Sequence, residues 1–303
     1  MDRLEAMSML IKVLEAGSFS KASKQLNVPL PTLSRKISEL ESQLGVRLIH
    51  RTTRKLSFTE SGLSYITACR RILEQVEDAE SDLKGEYLEP RGDLVITAPV
   101  MFGRLYVLPI VTEFLSLYAN INVQLLLADG NVNLFEDEVD MAIRIGKLPD
   151  SSMIATPVGK MRIVTCVNPS LLAQHPALES PKGLTHFPCV TLKTNMTIPH
   201  WSFRFSHSDP PVSVNVASRL TVTDSESAVH AAINKVGATQ QLHYQVKRGV
   251  DAGSLKIVLP EFEPEPLPVH LLHKTRKYMP QKMKSFLDFA APKLKARVAA
   301  LND

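Results

Sequence analysis

The 303-residue sequence is poor in cysteine and in aromatic residues, with three Cys, one Trp and 6% Phe, Trp and Tyr together. Cys69, Cys166 and Cys189 are odd in number, far apart and without C-x-x-C spacing, which argues against a disulfide framework or a zinc site. They read as small buried hydrophobes. No apolar run approaches the roughly 20 residues that span a bilayer, and the start shows no signal-peptide core. A cytoplasmic protein without a membrane partner is expected. No Walker loop or G-x-G-x-x-G follows any strand pattern, so nothing supports a nucleotide cradle.

Catalytic and metal-binding constellations are also missing. Ser18 with Lys21 and Ser81 with Lys84 match Ser-x-x-Lys, but neither has the companion motifs that a serine acyl-transferase needs. His270 and His273 fall in a strand pattern, where odd spacing sends them to opposite faces and prevents joint chelation. His200 and His207 flank Trp201 without a carboxylate or cysteine at ligand spacing. The chain is expected to be no enzyme and to carry no cofactor or metal.

What is present begins with ordinary soluble composition, 44% hydrophobic and 22% charged, on a chain long enough for two or three units. The net charge of +4 is unevenly spread. Residues 1–58 hold ten Lys or Arg against five Asp or Glu, so a basic footprint sits at one end and the remainder is close to neutral. That end is the part expected to meet a polyanion.

Its periodicity gives three helices. Asp2 can cap the first, with Glu5 completing a capping box, Leu4, Met7, Ile11 and Leu14 forming one stripe, and Gly17 ending it. A short second helix follows Ser18, and Asn27-Val28-Pro29 turns the chain. The third spans about Leu30 to Leu44; Leu33, Ile37 and Leu40 point inward while Thr32, Arg35 and Lys36 point outward. Residues 47–58 then suggest a two-stranded wing carrying Arg51, Arg54 and Lys55. This order is that of a winged helix-turn-helix, whose second paired helix enters the major groove of duplex DNA. Arg35 suits guanine readout, Thr32 a thymine methyl or a phosphate, Ser34 a base or a phosphate, Lys36 a phosphate, and Arg54 the adjacent minor groove.

Thr59 can cap a long fourth helix to about Leu88, in which Ile66, Cys69, Leu73, Val76, Leu83 and Tyr87 follow coiled-coil spacing; packing on its own chain is the alternative. From residue 89, strand patterns DLVIT, NVQLLLA and DMAIRIG alternate with helices. RIVTCV, CVTL, SVNV and RLTVT with a helix from about Ser225 suggest a second lobe, and proline-rich EFEPEPLP leads back into VHLLH. The expected domains are 1–58 for DNA, 59–88 for dimerisation and 89–303 for sensing, with lobe I at about 91–162 and 268–303 and lobe II at about 163–267. The sheets are expected to be largely parallel.

The stretch GSFSKASKQLNVPLPTLSRKISELESQLGVRLIHRTTRKLSFTESG resembles the N-terminal signature of LysR-type transcriptional regulators, and APVMFGRLYVLP, DMAIRIG, DSESAV and KVGA resemble that family's sensor half. The resemblance implies an N-terminal all-α winged helix-turn-helix with a long linker helix, and a C-terminal α/β two-lobed sensor similar to periplasmic binding proteins. It implies a homodimer or dimer of dimers on double-stranded DNA at an interrupted palindromic operator, associated with the nucleoid and controlled by a small-molecule effector. Base-contact positions of the family map onto Leu30, Pro31, Thr32, Ser34 and Arg35, with Arg54 on the wing. Many members open the recognition helix with Ser-Gln where this chain has Pro29-Leu30; leucine cannot bond adenine, which leaves apolar contact with thymine.

An open α/β sheet places ligands beyond the carboxyl ends of its strands. The candidates there are Pro99, Val100, Met101 and Phe102 after the first strand, Asn131 after the second, and Thr223 with Asp224 opening a helix in the other lobe. Helix starts at these points can hold a carboxylate. Many members of the family that the chain resembles that sense carboxylates carry Ser or Thr after the first strand; residues 98–101 offer no hydroxyl there, so the resemblance implies a small, largely apolar ligand, oriented by Thr223 and Asn131. An α/β enzyme with an accessory DNA-binding domain and a constitutive architectural DNA binder are the competing classes.

Overall fold

A computed structural model describes residues 2–51, 56–84, 89–129, 139–148, 153–193, 200–206, 210–274 and 279–301. The chain divides into two compact units, Met1–Leu88 and Glu89–Asp303.

In the first unit, α1 (Arg3–Ala16) starts where the Asp2 carboxylate accepts the Leu4 and Glu5 amides at 3.0 and 3.3 Å, and stops at Gly17 with φ 63°. Glu5, expected to complete a capping box, instead ion-pairs with Lys36. Ser18 caps α2 (Phe19–Leu26), and Asn27 ends it in the left-handed region. After Pro29, α3 (Leu30–Leu44) runs to Gly45. Strands β1 (Ile49–Arg51) and β2 (Leu56–Phe58) pair antiparallel, and α4 (Glu60–Lys84) follows. The core joins Leu10 and Val13 of α1, Ala22 of α2, and Leu33, Ile37 and Leu40 of α3 to Ile66 and Cys69 of α4.

The second unit opens with β3 (Gly92–Ala98), α5 (Val100–Phe102), a π-helical turn over Gly103–Val107, and α6 (Leu108–Leu117). Then come β4 (Ile121–Leu127), β5 (Met141–Ile145) and β6 (Met153–Met161). The continuous helix Val100–Leu117 is long and apolar enough to cross a membrane by composition. Here Phe102, Val107, Ile110, Val111 and Phe114 pack it into the core of lobe I.

The chain crosses at Arg162 into lobe II: β7 (Ile163–Val167), α7 (Pro169–Leu172), β8 (Pro188–Leu192), β9 (His200–Phe203), β10 (Val212–Asn215), β11 (Ala217–Val222), α8 (Ser225–Ile233), β12 (Thr239–Leu242), α9 (His243–Asp251) and β13 (Lys256–Val258). It returns as β14 (Leu267–Lys274) and ends in α10 (Gln281–Ala299). Lobe I is a five-stranded sheet in the order β4-β3-β5-β14-β6.

The sheets are more mixed than the sequence suggests. β3 is parallel to β4 and β5, but β14 is antiparallel to both β5 and β6, because it re-enters from the other lobe. In lobe II, β8 and β11 are parallel, whereas β12 and β13 flank β7 antiparallel. One face of the lobe I sheet presents Leu94, Ile96, Ile143, Val269 and Leu271 to α6 and α10. By the two-residue pleat, the other face carries Val95, Thr97, Ala142, Arg144, His270 and Leu272.

Candidate functional site

On the basic unit, α3 begins with no side-chain cap, and Leu30 and Pro31 at its start are exposed. Pro31 has no amide, so the uncapped start of α3 offers the amides of Leu30 and Thr32, an arrangement suited to a phosphate. Thr32 and Ser34 are half-buried on the same helix, and Arg35 extends outward with a side chain 67% exposed, pairing with Glu39 at 2.8 Å. Lys36 is different. Its side chain is only 19% exposed and its ammonium is held by Glu5 of α1, which makes it a tie between helices as well as a surface charge.

The wing is fixed by residues that charge counting does not single out. Glu41 Oε1 accepts the amides of Leu48 and Ile49 at 2.8 and 3.0 Å, holding the entry to β1 against the end of α3. Thr59 donates its hydroxyl to the Arg47 carbonyl and accepts the Gly62 amide at 2.8 Å, capping α4. A β-carbon at Gly62 would lie 2.1 Å from the Leu48 carbonyl oxygen, so wing and α4 meet backbone to backbone. Arg51 lies at the end of β1, while Arg54 falls outside the described residues.

Part of the α4 stripe is spent on the unit's own core. Ile66 and Cys69 are buried in the unit's own core and Leu73 packs on it, which corrects their assignment to an intermolecular seam. Val76 is half-buried, and Leu63 and Ile72 are exposed apolar residues on this helix.

In the second unit, Pro99 to Phe102 follow β3 as expected, with Val100 39% exposed and Phe102 fully buried. The Val100 amide donates to Asp129 Oδ1 at 2.9 Å. Thr223 is exposed, and Asp224 Oδ1 accepts the Ser227 amide at 2.8 Å, a hydrogen bond that holds the Asp224 carboxyl below its usual range. Both helix starts are thus engaged by the protein's own carboxylates, which would repel a ligand carboxylate. Asn131 lies outside the described residues.

Several cross-lobe contacts have no signal in the sequence. Arg104 in the π-helical turn pairs with Glu226 of α8 at 2.6 Å. Phe102 and Tyr106 of lobe I pack with Tyr244 of α9, ring centroids 5.1 to 5.8 Å apart. At the crossovers, Arg162 grips Glu263 with two hydrogen bonds of 2.9 and 2.7 Å. An aromatic wedge therefore joins the lobes beside the carboxyl end of β3, and an exposed ion pair spans them.

Reactive groups are scarce. Burial pushes the Cys166 and Cys189 thiols up to about 12, so neither supplies a thiolate near neutral pH. Among the described residues, no group of three or more His, Cys, Asp or Glu is placed to hold a metal ion.

Residues 4–63 match the bacterial regulatory helix-turn-helix protein, lysR family, and residues 88–295 match the LysR substrate binding domain. The chain belongs to the LysR family. It is similar to YhjC, an uncharacterised HTH-type transcriptional regulator of Escherichia coli K12, at 30% identity across 97% of this chain and 99% of that protein. An HTH-type transcriptional repressor of Pseudomonas aeruginosa is also 30% identical, across 95% of this chain and 91% of its own length. The solved structure of CrgA, a LysR-type regulator of Neisseria meningitidis, superposes with a TM-score of 0.61 at 27% identity, covering 96% of this chain and 98% of that one. Full-length AphB of Vibrio cholerae shares the fold, with a TM-score of 0.60 at 24% identity across 95% and 98% of the two chains. The protein is a LysR-type DNA-binding transcriptional regulator with an effector-binding domain. Members of the family are transcriptional regulators, not enzymes.

Proposed function

We propose that residues 1–58 read an interrupted palindromic operator, that residues 59–88 join two copies, and that residues 89–303 convert binding of a small effector into a change in DNA contact. Base contacts fall to Leu30, Pro31, Thr32, Ser34 and Arg35, with Arg51 and Arg54 on the wing and Lys36 contributing charge. A homodimer or dimer of dimers in the cytoplasm, on the nucleoid, follows from this arrangement, and no catalytic step is assigned. Two-fold symmetry of the protein calls for a symmetric operator.

The observation that carries the sensing half is the Arg104–Glu226 pair beside the Phe102–Tyr106–Tyr244 wedge. A ligand entering near Pro99, Val100, Met101 and Thr223 must rearrange one or both, and the lobe arrangement it favours is the one to which it binds more tightly. An exposed pair contributes about 0–1 kcal/mol, so a modest ligand suffices to break it.

The test is a thermal-shift screen of small metabolites, followed by operator binding with each hit. Val100→Asp and Thr223→Ala should lose the ligand response and keep operator binding. Unchanged ligand affinity in both variants would remove this region from consideration.

A further inference from the structure

The polar face of the lobe I sheet holds a cation with no matching anion among the described residues. Arg144 stands on β5, two residues beyond Ala142, close to the carboxyl end of the strand. Its guanidinium donates to the Ile143 carbonyl at 3.1 Å and to Thr97 Oγ1 on β3 at 3.5 Å, and among the described residues no carboxylate pairs with it. Burial lowers its pKa, the mark of a cation deprived of water. His270 on β14 is its register partner, which places the two side chains next to each other on one face. His270 Nδ1 is buried without a hydrogen-bond partner. At this point β6 bulges, with Val269 opposite Gly159 and His270 opposite Pro157.

A half-buried guanidinium without a counter-charge and a buried, unsatisfied ring nitrogen are both costly, and they stand side by side. One oxyanion would satisfy both. The guanidinium fork matches a planar carboxylate in bidentate fashion. The surroundings are apolar: Ala142 and Leu272 form a buried cluster that Val95 and Leu126 pack against. The two helix starts that would otherwise receive a carboxylate are already occupied by Asp129 and Asp224.

We propose that Arg144, His270 and Thr97 anchor the head of an organic carboxylate. Arg144 takes the two oxygens, while Thr97 and the Nδ1–H tautomer of His270 donate to them. This deepens the effector reading above and rests on it for its regulatory meaning, though the binding itself stands apart from it.

Full-length protein is titrated calorimetrically with hexanoate and benzoate and with their neutral amides. The acids should bind at millimolar concentration or better, with each amide at least about tenfold weaker. Arg144→Met should weaken the acids at least about tenfold, leave the amides unchanged, and raise the melting temperature of the ligand-free protein by removing an uncompensated charge. Thr97→Val, which preserves side-chain shape, reads the same site if Arg144→Met does not fold, and should weaken the acids only. Equal binding of acids and amides, no acid binding, wild-type acid affinity in the variant that folds, or a melting temperature lowered by Arg144→Met would each overturn the anchor. Arg144-dependent binding with unaltered operator affinity would keep the anchor and defeat the effector reading. Uncharged metabolites acting through Val100 and Thr223 while the acids fail would do the reverse.

Discussion

Cations are handled differently in the two units. On α3, Arg35 is paired with Glu39 and Lys36 with Glu5, whereas on β5 Arg144 meets a carbonyl and a hydroxyl and, among the described residues, no carboxylate. Exposed pairs such as Arg35–Glu39 stabilise weakly, and a phosphate or base edge can displace the carboxylate at little cost. They also limit repulsion on a basic surface in the absence of DNA. A half-buried, partly desolvated cation gains far more from an arriving anion, so it favours a specific ligand over bulk salt. The DNA face is thus arranged for exchange, and the sheet face of lobe I for capture.

The sharpest way to separate the units is to damage one alone. Gly62→Val forces a β-carbon to within 2.1 Å of the Leu48 carbonyl, in a place where backbone meets backbone. We expect a loss of about 3 kcal/mol or more in the first unit, in the range of severe overpacking. Operator binding should vanish while ligand binding to residues 89–303 persists. Urea unfolding that tracks the two units separately checks this, and a loss below about 1 kcal/mol would show that the wing gives way.

Val76→Arg comes next. It places a charge on the α4 stripe beyond the part spent on the unit's own core, and should lower dimer stability and operator affinity together. Sedimentation at micromolar concentration decides; a variant that stays dimeric with wild-type affinity puts the seam elsewhere. Leu73→Arg is the poorer probe, because Leu73 also packs against the core of its own unit.

Arg35→Ala should cost about 1–3 kcal/mol in specific binding and relax preference at one base position. Lys36→Ala should weaken all DNA sequences alike and also loosen α1 against α3, because its ammonium is shared with Glu5. Binding to a library of operator variants at fixed salt separates the two. Intact base preference in Arg35→Ala would refute the readout assignment.

Helical periodicity located α1, α2 and α3 because each is short and ends at a left-handed residue, Gly17, Asn27 or Gly45, although Leu4 of the expected α1 stripe is exposed. Periodicity alone could not say which partner the α4 stripe meets, since Ile66 and Cys69 satisfy a seam and a core equally. Nor could it show that Lys36 meets Glu5, which is 31 residues away. The Arg in DMAIRIG was visible as a charge inside a strand pattern, but its isolation is a property of three strands brought together by topology. β6 escaped notice because Pro157 and Gly159, the latter at φ 147°, interrupt its alternation where the strand bulges. α10 carries an internal Pro292, which ordinarily speaks against a helix. Asp129 looks from sequence like an ordinary loop acid, whereas Asp224, expected to open a helix beside the ligand, spends its carboxylate on capping that helix.

Acid should also distinguish the units. The first unit contains a single histidine, His50, exposed on β1. In the second, His243 is 9% exposed and its Nδ1 meets the Leu301 carbonyl at 2.7 Å, tying the start of α9 to the end of the chain. Burial lowers its pKa from 6.5; the hydrogen bond with the Leu301 carbonyl opposes this, and Arg162 and Lys247 add smaller downward pushes against a small upward one from Glu263. The folded state therefore holds the ring neutral where the unfolded chain takes up a proton. Stability from this site is complete above about pH 6.5 and falls as pH drops toward the folded pKa, because the unfolded state binds more protons across that window. His243→Gln keeps a donor for the Leu301 carbonyl and removes the titration. It should flatten the stability of residues 89–303 between neutral pH and the folded pKa, by about 1.4 kcal/mol per unit of pKa depression at most. Melting curves of wild type and variant across that range give the comparison. Parallel slopes would mean that another of the second unit's histidines carries the acid response.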